Sequence, residues 1–316
     1  MFQLYKARNF SAYFKDTFDF LRLHGKHFFR NYIIVNGVFL LILIAMSIIF
    51  IQVYSDIFVQ DFVLNRNPEA LTNYLNQHSA SIITYAIIFI IVGLIVGILN
   101  YAFIPIYFKL YQKHSGANFM VNEIVTELKA NIGKLFKYIL AAIVVSIPAI
   151  IVAGIISLIL SITIIGIPFI LFVVALITLF YHSALMEYIL SNNKKVFDCF
   201  SYSLNLCFQK FFPAIGTVAV FMLMSIIFQS IFGMIEFVIS MILGVTSLEE
   251  PTNIYDLDRW SFTFIFIFTI QIISYLVNYL VSAVLQINQA IIYFGLKEER
   301  ENINTQSTID QIGSDD

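Results

Sequence analysis

Residues 138–186 form a run of 49 residues without a single Lys, Arg, Asp or Glu. As one α-helix this run would extend roughly 73 Å, more than twice the ~30 Å hydrocarbon core of a bilayer. The chain must therefore turn back within it. Residues 161–168 offer the turn, because they include Gly166 and Pro168 and carry no charge. The run predicts two membrane helices joined by a tight, uncharged turn.

Further apolar runs predict four more spans. The six predicted spans cover residues 32–55, 82–108, 136–160, 166–190, 211–235 and 261–285. Only 12% of the residues are charged, whereas soluble domains contain about 25%. The predicted fold is an all-α membrane protein with six transmembrane helices within residues 31–296, a cytoplasmic amphipathic segment at 1–30 and a cytoplasmic polar tail at 297–316.

The basic residues predict the orientation. Sixteen of the 18 Lys and Arg residues fall in segments that six spans would place on one side of the membrane, and only Arg66 and Arg259 fall on the other. Cytoplasmic loops are the Lys- and Arg-rich ones, so both termini are expected in the cytoplasm. A polar and aromatic stretch precedes the first apolar run, so no secretory signal is expected. The predicted location is the inner membrane of a bacterium, as a multi-pass protein.

The cytoplasmic segments predict a threefold internal repeat of an amphipathic helix followed by a transmembrane hairpin. In the first such helix, one face carries Phe10, Tyr13, Phe14, Phe18 and Leu21. The opposite face carries Lys15, Asp16, Asp19, Arg22 and Lys26. A helix of this kind lies in the headgroup plane with its bases toward anionic lipid, or it packs on the cytoplasmic ends of the spans. Both interpretations stay open.

Polar residues within the last two spans recur every three or four positions and so share a helix face. The candidate groove residues are Ser225, Gln229, Glu236, Gln271, Ser274, Asn278 and Ser282. They predict either polar packing between helices or a hydrated groove between the fifth and sixth spans. Glu187 is a candidate interfacial acid, because an ionisable group at a span is a functional candidate and this one lies near the predicted inner interface. We expect Glu187 and Glu236 to be partly hydrated.

Signatures of common enzymes do not occur in the sequence. We find no nucleophile elbow, phosphate-binding Gly-rich loop, zinc-protease motif or Cys/His ligand cluster. His24 and His27 lack a third nearby ligand, and Cys199 and Cys207 lie too far apart on a helix for a disulfide. We therefore predict no catalytic residue, no cofactor and no metal. The net charge of −2 argues against nucleic acid as a partner.

Two regions resemble a bacterial superfamily of membrane proteins. Met186-Glu187-Tyr188, the stretch 196–204 and Phe211-Phe212 resemble its motif of an acid at a span end, an amphipathic helix and aromatics opening the next span. The stretch 293–301 resembles the exit of its last span, and 309–313 the tails of Bacteroidetes-type stand-alone members. The superfamily includes the membrane domain of glycerophosphoryl diester phosphodiesterases. The resemblance implies a six-span inner-membrane protein, and phosphodiesterase activity does not carry over without a catalytic domain.

Two functions are expected from these features. The first is a non-enzymatic scaffold or envelope-maintenance component whose amphipathic helices bind membrane lipids, with a membrane-protein partner or a second copy as further partner. The second is a transporter or lipid-handling protein that uses the polar groove. A membrane-embedded hydrolase is disfavoured, because no nucleophile and base fall in the same membrane layer.

Overall fold

A computed structural model describes residues 2–54, 69–164, 166–191, 193–249 and 262–304 of the chain, with some side chains inside the helices left out. Seven α-helices account for most of this part, and it contains no strand. The helices are α1 (Phe10–Tyr54), α2 (Ala70–Lys113), α3 (Val121–Ser161), α4 (Ile167–Leu190), α5 (Val196–Gln209), α6 (Phe211–Glu249) and α7 (Phe262–Glu301).

Five stretches of these helices are long and apolar enough to cross a membrane. They are Asn76–Lys113, Val121–Ser161, Ile167–Leu190, Phe211–Ile235 and Ile272–Glu301. They overlap the second to sixth predicted spans, although the last begins and ends later than the predicted 261–285. In α1, the pair Phe10–Gly37 and Leu40–Met46 adds a sixth candidate if its two parts, bent by 50°, count as one span. The described helices thus confirm the predicted all-α fold, and the five apolar stretches are compatible with a membrane protein.

The predicted turn lies where α3 gives way to α4. Helix α3 ends at Ser161, α4 begins at Ile167, and a proline occupies the first turn of α4. Gly166 caps α4, and its amide donates to Thr163 at 3.0 Å. A Cβ at Gly166 would collide with the Leu160 carbonyl, so only glycine fits at this position without a shift of the backbone.

The predicted amphipathic segments differ from one another. Only the third is a separate helix, α5. The first two form the beginnings of α1 and α3, in the same helices as the apolar runs that follow them. The difference has a local cause at the start of α6. Pro213 has no amide hydrogen to donate to the carbonyl four residues back, so the chain leaves the helix at Lys210 (φ −132°, ψ 65°) and restarts at Phe211. Neither of the other junctions contains a proline.

The chain divides into two compact units. The first unit comprises residues 1–31, 101–228 and 278–316, and the second comprises residues 32–100 and 229–277. In the second unit, the Tyr32 hydroxyl donates to the Asn100 side-chain oxygen at 2.7 Å and so joins α1 to α2. Most side chains of α2 between residues 81 and 95 are exposed and apolar, as expected for a helix that faces lipid.

The first unit has a core rich in aromatic side chains. Fully buried members are Tyr13, Phe20, Phe28, Phe103, Tyr107, Phe108, Tyr293 and Phe294. Phe20 of α1 contacts Phe108 of α2 at 5.2 Å between ring centroids, and Phe108 contacts Phe294 of α7 at 5.6 Å. Edge-to-face and tilted ring pairs of this kind add to the stability that burial provides. The last turns of α7 therefore lie inside the unit.

The start of α1 packs against the protein, in agreement with one of the two interpretations of the first amphipathic segment. Tyr13, predicted on the aromatic face, is fully buried, and a Cβ at Gly295 would lie 2.8 Å from its Cε1. Asp16 was predicted on the charged face opposite these aromatic residues, but it is buried as well and accepts a hydrogen bond from Arg8 at 2.7 Å. The periodicity of one helix could not show this pairing, because Arg8 precedes the helix.

Candidate functional site

A cluster of charged and aromatic side chains joins three helices and one linker of the first unit, near the ends of α4 and α7. Glu187 lies in the last turn of α4, Lys194 in the linker that follows, and Tyr202 in α5. Tyr293 and Lys297 lie four residues apart and so share one face of α7. We call these five residues the Glu187 cluster.

Both carboxylate oxygens of Glu187 are engaged. Lys194 Nζ donates to Oε1 at 2.5 Å, while the Tyr293 hydroxyl at 2.5 Å and Lys297 Nζ at 2.7 Å donate to Oε2. Glu187 is only 1% exposed. A carboxylate so placed is stable only because charged and hydroxyl donors replace its hydration. The acid therefore holds the end of α4, the linker and α7 together.

Glu187 is buried, whereas the sequence predicted a partly hydrated carboxylate. Lys194 lies only seven residues from Glu187 in the sequence. The two partners on α7, Tyr293 and Lys297, are 106 and 110 residues away. Only the packing of α7 against α4 brings them to the acid. Whether the acid lies at a membrane interface stays a prediction.

Cations surround the ring of Tyr202. Lys194 Nζ lies 4.2 Å from the ring centroid, the Arg300 guanidinium carbon 4.7 Å, and Lys297 Nζ 5.7 Å. Within about 6 Å a cation is attracted to the negative face of an aromatic ring. Tyr202 thus serves as a platform for three cations.

The hydroxyl of Tyr202 donates to Glu301 at 2.5 Å. Burial raises the pKa of Tyr202 above its ordinary value, and the hydrogen bond to Glu301 and the charge of Glu187 raise it further. The phenol therefore stays protonated at neutral pH and remains a donor. Arg300, Lys194 and Lys297 carry three positive charges around the ring, against the two negative charges of Glu187 and Glu301.

The sequence-predicted groove residues lie in both units. Ser225, Asn278 and Ser282 belong to the first unit, and Gln229 and Ser274 belong to the second. Ser225 is buried, Ser274 and Ser282 are half-buried, and Gln229 and Asn278 are exposed. The side chains of Glu236 and Gln271 lie outside the described part of the chain. The groove stays a prediction, which cysteine accessibility to aqueous reagents would test.

The two cysteines are free and buried, which confirms the expectation that they form no disulfide. Burial raises the pKa of Cys199 to about 11 and that of Cys207 to about 12. A thiol with so high a pKa is a poor nucleophile. Neither cysteine is therefore suited to covalent chemistry.

The two histidines of α1 bind neighbouring aromatic residues. His24 Nε2 lies 3.0 Å from the Tyr111 hydroxyl, and His27 Nδ1 lies 2.9 Å from the Tyr107 hydroxyl. The second ring nitrogen of His27 donates to the Phe119 carbonyl at 2.9 Å. Within the described residues, no group of three or more His, Cys, Asp or Glu side chains is placed to hold a metal ion.

Sequence reasoning missed the members of the cluster that come from α5 and α7. Tyr202, Tyr293 and Lys297 had no assigned role in a site, and neither had Arg300, which lies beside the cluster. A usable signal was present in α7, where Tyr293 and Lys297 stand one helical turn apart at the end of an apolar run. That signal does not name the acid that they bind.

Comparison with models of protein families, with curated proteins and with solved structures found no match for this chain.

Proposed function

We propose that the chain is a non-enzymatic, multi-pass inner-membrane protein with six spans arranged as three hairpins and with both termini in the cytoplasm. It acts as a scaffold or envelope-maintenance component and binds membrane lipids through helices at the cytoplasmic surface. The apolar helices of the structure support the membrane part of the proposal. The resemblance to the bacterial membrane superfamily adds to it.

The surface of α5 carries the proposal. At about 100° per residue, its side chains fall into three sectors. The buried sector, which packs on the unit, holds Cys199, Phe200, Ser203, Leu206 and Cys207. An exposed apolar sector about 40° wide holds Phe197, Leu204 and Phe208, which are 54%, 46% and 57% exposed. The third sector is polar and holds Asp198, Tyr202, Asn205 and Gln209.

Three sectors are what a helix needs when protein, lipid and water surround it. A helix in water alone would gain nothing from three large exposed apolar side chains in one row. In the interface, each half-exposed side chain gains roughly 1 kcal/mol when lipid covers it. The apolar sector therefore fits the acyl chains and the polar sector fits the headgroup layer.

Adjacent residues of α5 provide a matched test. Leu204 lies in the apolar sector and Asn205 in the polar sector, and both side chains are exposed. A nitroxide label is attached to Leu204→Cys or Asn205→Cys, with the native cysteines replaced by alanine, in vesicles containing phosphatidylglycerol. We expect the first label to collide with oxygen dissolved in lipid and the second with a water-soluble nickel chelate. Equal access of the nickel chelate to both labels would contradict the proposal.

A scaffold also has partners. Affinity purification in mild detergent should recover a stoichiometric membrane-protein partner or a homo-oligomer of this chain. A monomer without any partner, under conditions that keep the first unit folded, would count against the scaffold role and leave the membrane placement of α5 untouched.

A further inference from the structure

We propose that Lys194, Arg300 and the ring of Tyr202 form a binding site for a phosphate group. The phosphate is supplied by the headgroup of an anionic phospholipid or by a soluble phosphate compound. The inference rests on the proposed function, because it assigns the headgroup side of α5 a ligand.

Arg300 is the main donor of the site. Its side chain is exposed, and its guanidinium carbon lies 4.7 Å from the Tyr202 ring centroid. Within the described part of the chain it forms no hydrogen bond or ion pair. A guanidinium placed over an aromatic ring keeps its N–H groups free at its edge, and these match two oxygens of one phosphate.

Lys194 is the second donor. One of its three N–H groups binds Glu187, and the side chain is 38% exposed. Its ammonium lies 4.2 Å from the same ring centroid. The two cations are therefore within about 9 Å of each other, where like charges repel. An anion that contacts both cations replaces this repulsion with two attractions.

Glu187 is a positioning residue for the site. It binds Lys194 and Lys297 from inside the unit and so prevents Lys194 from extending into water. Two nearby acids are engaged elsewhere: Glu299 binds Lys210 at 2.5 Å, and Glu298 accepts from the Asn304 amide at 3.1 Å. Glu301 lies beside the site, where its carboxylate accepts from the Tyr202 hydroxyl. Asp198 remains exposed in the first turn of α5, on the same polar sector. Its negative charge lowers the affinity of the site for phosphate. Binding therefore depends on direct contacts with Arg300 and Lys194 more than on the net charge of the surface.

The test uses the full chain in nanodiscs. One arm measures binding of phosphatidylglycerol in a phosphatidylcholine background by native mass spectrometry. The other measures binding of inorganic phosphate to the protein in phosphatidylcholine alone by calorimetry. Arg300→Gln and Lys194→Gln are expected to weaken binding about tenfold, because each removes a charge-assisted hydrogen bond. Lys195→Gln is the control, since this exposed neighbour makes the same change of charge outside the cluster. We expect it to weaken binding less than about twofold.

Two variants of the platform separate its ring from its hydroxyl. Tyr202→Phe keeps the ring and should bind like the natural protein, whereas Tyr202→Leu should bind as weakly as Arg300→Gln. The thermal midpoint of each variant without ligand checks that it is folded.

Binding in the lipid arm alone assigns the site to a headgroup, and binding in the phosphate arm alone assigns it to a soluble compound. Binding of neither probe, equal weakening by Arg300→Gln and Lys195→Gln, or equal binding by the two Tyr202 variants overturns the inference. If one of these results is obtained while the label at Leu204 is exposed to lipid, only the phosphate site is refuted. The proposed function then still stands.

Discussion

Replacement of Glu187 by glutamine tests the role of the buried acid. Glutamine has nearly the same shape, so the packing of α4 is unchanged and the charge alone is removed. The amide presents one acceptor oxygen and one donor nitrogen. Tyr293 and Lys297 donate to one carboxylate oxygen and Lys194 donates to the other. The amide nitrogen is itself a donor, so in either orientation it must oppose at least one of these donors.

The expected loss of stability follows from burial and exposure. Removal of one partner from a buried ion pair costs about 3–5 kcal/mol. Lys194 is 38% exposed and keeps part of its hydration, whereas Lys297 is only 13% exposed. We therefore expect about 3–4 kcal/mol for Glu187→Gln. At about 1.5 °C per kcal/mol for a chain of 316 residues, the thermal midpoint falls by about 5 °C.

Thermal unfolding in detergent, followed by the loss of the monodisperse peak in size-exclusion chromatography, measures this shift. Glu301→Gln is the control, because Glu301 is 35% exposed and its loss should cost less than about 1 kcal/mol. Equal midpoints for the two variants would refute the reasoning that Glu187 holds the three elements together.

Three other predictions concern the first unit. Gly295→Ala should cost about 1–3 kcal/mol, because the new Cβ meets a buried ring, whereas Gly133→Ala, with no atom within 4 Å, should be neutral or slightly stabilising; thermal midpoints compare them. Cys199 and Cys207 should react with iodoacetamide at pH 8 at least about a hundredfold more slowly in the folded protein than in denaturant, and equal rates by mass spectrometry would contradict their burial. Arg8→Gln should release residues 2–8 to protease in limited proteolysis, since this side chain binds three carbonyls and one carboxylate of the N-terminal segment; an unchanged cleavage pattern would contradict that role.

Local features of the sequence were sufficient for most of the helical architecture. Charge-free runs located the five apolar helices, because the absence of charge is a property of each run by itself. Gly166 and Pro168 located the end of α3 and the start of α4 for the same reason. The separation of α5 from α6 also has a local cause, Pro213. The predicted threefold repeat treated all three junctions alike and so did not anticipate this separation.

The cluster could be predicted only in part, because its contacts join distant segments. Glu187 stood out as an acid after a long apolar run, and Lys194 is the next basic residue along the chain. Their partners Tyr293 and Lys297 reach them only through the packing of α4 on α7, which no periodicity records. The burial of Asp16 was missed for the same reason, since its partner Arg8 lies outside the helix that defines the face.

The placement of the chain in the membrane is the central claim, and labelling of two single cysteines tests it most directly. Lys195→Cys lies in the predicted cytoplasmic segment and Thr163→Cys in the predicted outer turn, and both positions are exposed. In intact spheroplasts, a membrane-impermeant maleimide should label Thr163→Cys at once and Lys195→Cys only after lysis. Labelling of Lys195→Cys before lysis, with Thr163→Cys protected, would contradict the orientation and the lipid-binding role that depends on it.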